Sequence, residues 1–175
     1  RYVDEMGQML AGSGRLSDAI TIYSQVVAAA PGRTDLRMRL CELLLSDGDR
    51  HSALDQLLQV IAREPERTEA RRLLARLHTE AGEHEAAARQ LQVVLNLDNS
   101  DTDVMAALAR AYLDAGEPTR AVEAYQQTLS LTKGTADLFA GLARSYEFLG
   151  QIDQARSIYG RALSLNATHP EALSG

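Results

Sequence analysis

Three arginines recur at one fixed interval along the chain, and their side chains are well suited to bind a ligand. Arg76, Arg110 and Arg144 follow one another at intervals of 34 residues. A guanidinium group presents a planar fork of N–H donors, which forms two parallel hydrogen bonds with a carboxylate. Because the three positions are equivalent in a repeating chain, we expect them to form a ladder. The spacing predicts a surface that binds a ligand with several carboxylates.

Residues that commonly perform catalysis or hold metal ions form no recognisable arrangement in this sequence. None of the four histidines lies at the spacing of a metal site. His78 and the single cysteine, Cys41, stand at packing positions, so we interpret them as a buried, hydrogen-bonded histidine and a buried inert thiol. The segment 12–15 (Gly-Ser-Gly-Arg) ends a helix and lacks the frame of a phosphate-binding loop. We therefore expect no enzyme activity, no metal ion and no cofactor.

The charge and composition of the chain disfavour several classes of partner. The 175 residues are 45% apolar and carry a net charge of −6, with both signs interspersed. Such a field does not favour nucleic acid or anionic membranes, and no apolar run approaches the roughly 20 residues of a membrane span. Of the 18 basic residues only Lys133 is lysine, a composition associated with bacterial proteins. The compartment stays open, because cytoplasm and periplasm are both compatible with this composition.

Glycines set the period of the chain and mark its turns. They lie 34 residues apart, at Gly14, Gly48, Gly82, Gly116 and Gly150. Apolar residues at helical spacing precede and follow these glycines, which predicts two helices per period joined at a left-handed glycine cap. A fixed alanine in the second helix lets the two helices approach closely. That alanine recurs as Ala19, Ala53, Ala87, Ala121 and Ala155. A constant period of this length predicts a solenoid, in which each unit buries its apolar face against its neighbours.

Hydroxyl residues predict where the first helix of a unit begins. Thr34, Thr68 and Thr102 each precede an acidic residue, and Thr135 precedes Asp137 by two positions. A hydroxyl cap followed by an acidic first turn satisfies free backbone N–H groups and suits the helix dipole. We therefore expect these threonines to cap the first helices of their units.

The stretch 108–116 reads Leu-Ala-Arg-Ala-Tyr-Leu-Asp-Ala-Gly, and related stretches occur at 74–82 and 142–150. With the fixed alanine and the 34-residue period, this pattern resembles the tetratricopeptide repeat. The resemblance covers essentially the whole chain and implies an all-α, right-handed superhelical solenoid of antiparallel helix pairs. We expect a single domain, 1–175, that is a fragment of a longer protein. Its units are 1–33, 34–67, 68–101, 102–135 and 136–169, with the start of a further helix at 170–175. The first-helix tryptophan of the family is replaced by Val3, Arg37, Arg71, Met105 and Phe139.

The resemblance also implies where a partner binds, because the first helices of tetratricopeptide arrays line a concave groove that holds peptides or helices. On that basis the predicted partner-binding residues combine the arginine ladder with apolar anchors and residues of the second unit. They are Met38, Glu42, Leu45, Arg72, Arg76, Arg110, Leu113, Arg144 and Phe148. An alternative of equal weight is that the arginines form weak surface ion pairs with Glu80, Asp114 and Glu147.

Three functional hypotheses follow from this interpretation. The leading one is a non-catalytic scaffold that binds an acidic, partly apolar protein or peptide segment, within a larger bacterial protein. The second is a structural spacer or self-assembly array in a secretion, pilus or exopolysaccharide machinery. Its copies would meet through apolar ends near Val3, Met6, Tyr159 and Ala162. The third is a substrate-presenting region of an enzyme whose catalytic domain lies elsewhere. We expect neither nucleic-acid binding nor membrane insertion.

Overall fold

Helices joined by short connections make up residues 2–174, the part of the chain described by this computed structural model, apart from the side chain of Glu171. No β-strand occurs in residues 2–174, and the predicted all-α class is confirmed. The helices of this part are α1 (Tyr2–Gly12), α2 (Leu16–Ala29), α3 (Thr34–Asp47), α4 (Arg50–Arg63), α5 (Thr68–Glu80), α6 (His84–Leu97), α7 (Thr102–Asp114), α8 (Pro118–Leu131), α9 (Ala136–Phe148), α10 (Ile152–Leu165) and α11 (Pro170–Ser174).

The chain divides into two compact units. The first spans Arg1–Ala70 and the second Arg71–Gly175. Within each unit, connections of two or three residues join the two helices of a period, and such short connections place neighbouring helices antiparallel. The expectation of a single domain over 1–175 stays a prediction.

The turn between the two helices of a period depends on glycine in the left-handed conformation. Gly48 has φ 86° and Gly116 has φ 77°, a region that residues with a Cβ atom rarely adopt. The residue after each glycine donates its amide to a carbonyl five residues earlier. Asp49 bonds Leu44 at 2.9 Å, and Glu117 bonds Tyr112 at 2.9 Å. These bonds satisfy carbonyl groups at the helix end, so the predicted glycine caps are confirmed.

The caps at the helix starts differ from the prediction in three of the units. The threonines at 34, 68 and 102 are the first residues of α3, α5 and α7, and none of them occupies the cap position before its helix. Asp101 caps α7 instead, because its carboxylate accepts from the amide of Val104 at 3.0 Å. Thr135 does cap α9, accepting from the amide of Leu138 at 3.3 Å. The acidic side chain at 101 outcompetes the neighbouring hydroxyl because a charged acceptor makes the stronger hydrogen bond.

Small residues allow the close helix contacts in both units. The fixed alanines are at most 3% exposed. In the first unit a Cβ atom at Gly7 would collide with the ring of Tyr23, which is 1% exposed. In the second unit a Cβ atom at Gly141 would collide with Tyr125 in the same way. Each of these tyrosines therefore packs against a neighbouring helix only where that helix has a glycine.

The last helix of the second unit covers residues that the sequence predicted to be exposed. Tyr159 is 6% exposed and Ala162 is 0% exposed. Both belong to one apolar cluster with Ala172 of α11. The expectation of an exposed apolar end at Tyr159 and Ala162 is therefore wrong. The short segment after α10 closes that face.

Candidate functional site

Three of the predicted partner-binding arginines lie around one groove in the second unit, which we call the α5–α7 groove. Its volume is about 350 Å³. Arg72 and Arg76 come from α5 and Arg110 from α7. Its remaining lining residues are Ala75, Thr79, Leu91, Asp103, Val104, Ala107 and Ala111. The first helices of two successive periods therefore bring together cationic side chains that are distant in sequence.

The floor of the α5–α7 groove is apolar, and several of its residues are small. Ala75, Ala107 and Ala111 end at Cβ, so they leave open the space that longer side chains would fill. Val104 and Leu91, 3% and 6% exposed, belong to the core beneath. Such a floor favours an apolar side chain of a ligand that fills this space, since burial stabilises by about 25 cal/mol per Å² of apolar surface.

Two arginines of the groove are paired with carboxylates of their own helix. Arg76 Nε lies 3.8 Å from Glu80, and Arg110 Nε lies 3.0 Å from Asp114. The arginine side chains are 63% and 49% exposed. Exposed pairs four residues apart stabilise a helix by only about 0.3–0.5 kcal/mol. A ligand carboxylate can therefore replace Glu80 or Asp114 at little cost. The alternative of internal pairing and the prediction of ligand binding are compatible.

Arg72 has a different role, because it is bonded to the residue that caps α7. Its guanidinium donates to the carboxylate of Asp101. The amide of Val104 chiefly holds the pKa of that carboxyl below its usual value, with Arg72 contributing, while partial burial acts in the opposite direction. Arg72 thus ties α5 to the first turn of α7 and fixes one edge of the groove. It is already engaged in holding the structure.

Arg144 and Phe148 lie outside the lining of the α5–α7 groove and interact with each other on α9. The Arg144 guanidinium carbon lies 5.7 Å from the centre of the Phe148 ring, which is within the range of a cation–π contact. Phe148 is 63% exposed, as a binding anchor would be. Glu147, the predicted acidic partner, accepts from the hydroxyl of Tyr159 at 3.0 Å. Whether this pair contacts a ligand together with the groove stays a prediction.

Two of the predicted binding residues are core residues, which corrects their assignment. Leu113 is 4% exposed and packs in the apolar cluster around α7. Met38, in the first unit, is 8% exposed. Of the other two predicted residues in that unit, Glu42 is exposed and paired with Arg39 at 3.1 Å, and Leu45 packs partly buried against the core. The helix α7 packs against α6, α8 and α9. More than one face of α7 is therefore buried, and Leu113 lies on a buried face although it was predicted to face the groove.

Sequence reasoning missed part of the groove lining. Ala107 and Ala111 were not among the predicted binding residues, and Asp103 was expected only in the first turn of α7. In the structure all three line the groove. Their spacing of four residues places them on one face of α7, and that periodicity is a signal available in the sequence.

The histidines and the cysteine have structural surroundings. His78 Nδ1 lies 2.5 Å from Glu83, and its side chain is 21% exposed, so it is hydrogen-bonded but only partly buried. Cys41 is fully buried, and burial raises the pKa of its thiol to about 12. Within residues 2–174 no group of His, Cys, Asp and Glu side chains is arranged to hold a metal ion. None of the described helices has both the length and the apolar character needed to cross a bilayer.

Comparison with known proteins agrees with this architecture. The family model described as "Tetratricopeptide repeat" matches residues 10–77, 44–111, 78–128 and 112–174. No curated protein sequence matches the chain. Among solved structures, one titled "Crystal structure of MamA protein" is 24% identical with a TM-score of 0.83, covering 95% of this chain and 91% of that one. A second MamA structure is 25% identical with a TM-score of 0.80, covering 93% and 95%.

A third solved structure has a similar fold at a still lower sequence identity. The structure titled "MamA RS-1 ArsTM double mutant" is only 14% identical, yet its TM-score is 0.83 over 95% of this chain and 94% of that one. Similarity at these identities shows the fold, an all-α solenoid of helix pairs, and carries no ligand from those proteins to this chain.

Proposed function

Because the chain belongs to the tetratricopeptide repeat family, we propose that it is a non-catalytic scaffold that binds a protein segment in the α5–α7 groove. The observation that carries this proposal is the placement of Arg76 and Arg110 at the edges of an apolar floor. An apolar groove with a few well-placed charged groups is the usual form of a peptide site. Binding of a segment requires no catalytic side chain, and the groove lining contains neither histidine nor cysteine.

The chemistry of the bound segment follows from the charges and size of the groove. Its lining contains three arginines and one carboxylate, that of Asp103. Since Arg72 is held by Asp101, the cations available to a ligand are Arg76 and Arg110. The segment that fits places an apolar side chain on the alanine floor. It carries acidic residues on both sides of that side chain. We propose that the parent protein is bacterial, on the basis of 17 arginines against the single Lys133.

Selection of peptides from a random displayed library tests this function without knowledge of the natural partner. Peptides are selected on the wild-type chain and then compared on the variant Arg76→Glu/Arg110→Glu. We expect enrichment of peptides with acidic residues flanking an apolar residue, and loss of their binding to the variant. The matched control is Arg89→Glu/Arg156→Glu, which changes the charge equally at exposed positions outside the groove lining. Selected peptides that bind wild type and groove variant equally would refute the proposal.

Self-association is a second candidate, favoured by apolar residues of α1. Tyr2 is 76% exposed and Met9 is 67% exposed. Large apolar side chains at such exposure are suited to contacts between copies. Light scattering over a range of protein concentrations tests this function directly. A rise in mass with concentration that disappears in Tyr2→Ser/Met9→Ser supports self-association, whereas a constant monomer mass excludes it.

A further inference from the structure

A second cavity, in the first unit, gathers cationic and neutral polar groups without a carboxylate. It has a volume of about 410 Å³ and lies among α2, α3 and α4, and we call it the α2–α4 cavity. Its polar lining residues are Ser24, Arg37, Gln56, Gln59 and Arg63. Its other lining residues are apolar, so neither Asp nor Glu contributes to the wall. A cavity with two arginines and no acidic residue carries an uncompensated positive charge.

Arg37 is the central group of this cavity, and its charge is buried. The residue is 4% exposed, and its Nε has no hydrogen-bond partner within the described part of the chain. One terminal nitrogen donates to the side-chain oxygen of Gln56. Within residues 2–174, no ion pair joins Arg37 to a carboxylate. Burying an ionised group without a counter-charge is costly, and leaving one of its donors unsatisfied adds about 1–3 kcal/mol.

Arg63 makes this arrangement less favourable still in the absence of an anion. Burial lowers the pKa of Arg37, and the positive charge of Arg63 lowers it further. The two guanidinium groups therefore repel each other across the same cavity. A bound anion would remove the repulsion and satisfy the free Nε at once. Buried charges in proteins are normally paired, so an unpaired one favours the binding of a group of opposite charge.

The neutral polar groups of the cavity lining can also donate hydrogen bonds to an anion. Gln56 uses its side-chain oxygen to accept from Arg37, so its NH₂ group remains a donor. Ser24 and Gln59 add a hydroxyl and an amide at the cavity wall. We propose that the α2–α4 cavity binds a phosphate group. A phosphate carries about 1.5 to 2 negative charges near neutral pH, which suits a site with two arginines, and its oxygens are strong hydrogen-bond acceptors for guanidinium, amide and hydroxyl donors.

The next period of the chain shows that the pair of arginines is not a by-product of the repeat. Arg71 stands 34 residues after Arg37 and bonds Gln90 at 2.8 Å, as Arg37 bonds Gln56. The equivalents of Gln59 and Arg63 are Val93 and Leu97. The arginine bonded to a glutamine thus occurs in two periods, but it is buried only at Arg37, since Arg71 is partly exposed. Of these two periods, only the one in the first unit adds a second cation, Arg63, and a second amide, Gln59.

Titration with inorganic phosphate, followed by calorimetry on the whole chain, tests the site. We expect saturable binding of one phosphate per chain, weakened at least roughly tenfold in Arg37→Met and in Arg63→Gln, since a charge-assisted hydrogen bond is lost in each. Arg37→Met is expected to fold because Met105 occupies the same position two periods later. The matched control is Arg39→Gln, which removes the same charge from an exposed side chain of α3 paired with Glu42.

Thermal unfolding separates a phosphate site from a purely structural role of Arg37. Phosphate is expected to raise the Tm of the wild type and of Arg39→Gln, and to leave the Tm of Arg37→Met and Arg63→Gln unchanged relative to chloride at equal ionic strength. Methyl phosphate identifies the source of the group. Tighter binding of the ester indicates a phosphoryl group carried on a larger molecule, and tighter binding of inorganic phosphate indicates the free ion. An equal response to phosphate in all four proteins, no saturable binding, or equal binding of acetate would each overturn the proposal.

Discussion

The α5–α7 groove and the α2–α4 cavity are both lined by arginines, but they differ in the burial and the pairing of those charges. In the groove, Arg76 and Arg110 are about half exposed or more, and each has a carboxylate four residues away. In the cavity, Arg37 is buried and forms no ion pair among the described residues. Exposed paired arginines can exchange partners cheaply, which suits reversible binding of acidic segments. A buried cation without a counter-charge suits one small anion held closely.

Reversal of the two groove charges should produce the largest effect and should affect only one of the two sites. In Arg76→Glu/Arg110→Glu, the selected acidic peptide loses two charge-assisted contacts and meets like charges instead. We expect its Kd to rise by at least about 100-fold, and the Kd for phosphate to stay the same. Fluorescence anisotropy for the peptide and calorimetry for phosphate measure the two constants. An equal loss at both sites would mean that the substitutions act through general charge or misfolding.

Replacement of the buried arginine should change stability in the direction opposite to that of most core substitutions. Arg37→Met removes an unpaired charge and fills its space with an apolar chain. We expect the free energy of unfolding in phosphate-free buffer to rise by about 1–3 kcal/mol, the cost of an unsatisfied buried donor. Chemical denaturation measures it, with Arg39→Gln as the exposed control. A clear loss of stability would show that other groups of the protein already stabilise the buried charge of Arg37.

The cap at the edge of the groove should contribute a pH-dependent share of stability. The pKa of Asp101 is lowered in the folded chain, mainly by the amide of Val104. Its stabilisation is therefore present above the unfolded pKa and is lost as the pH falls through the folded pKa. We expect Asp101→Ala to cost about 1 kcal/mol at pH 7, and less as acid protonates the wild-type carboxyl. Urea denaturation at pH 7 and at pH 3 measures the difference. A cost that does not shrink at pH 3 would contradict this account of the cap.

Removal of the competing carboxylates should give the smallest effect, and it should strengthen binding. In Glu80→Gln/Asp114→Asn, the groove arginines lose their partners on the same helix. Since each such pair is worth about 0.3–0.5 kcal/mol, we expect the selected peptide to bind roughly two- to fivefold more tightly. Anisotropy titration at two salt concentrations measures the gain, which should decrease with added salt. Weaker binding would show that these carboxylates position the arginines for the ligand.

The sequence allowed much of the fold to be predicted because the repeat determines it. The interval between Gly48 and Gly82 fixed the period, and the fixed alanines showed where two helices meet. Arg76 and Arg110 line one groove in the structure, whereas Arg144, the third arginine of the expected ladder, lies outside its lining. Equivalent positions of a repeat occupy equivalent surfaces, so a periodic property is predictable without knowledge of individual contacts.

The features that escaped prediction depend on contacts between particular side chains. Leu113 lies three residues after Arg110, but it is buried in the apolar cluster of the second unit, where α7 packs against three other helices. Arg72 of α5 is bonded to Asp101, which is 29 residues away in the connection before α7. The α2–α4 cavity combines Ser24, Arg37 and Arg63 from three helices. None of these encounters is periodic, so the repeat pattern contains no signal for them.

The most direct test of the central claim is an NMR titration of the selected acidic peptide into the isotope-labelled wild-type chain. The account predicts that amide shifts concentrate on α5 and α7, among them those of Arg76, Ala107 and Arg110, and that they disappear in Arg76→Glu/Arg110→Glu. Shifts concentrated on other helices, or shifts on α5 and α7 that persist in the variant, would contradict the proposal that this groove binds the partner.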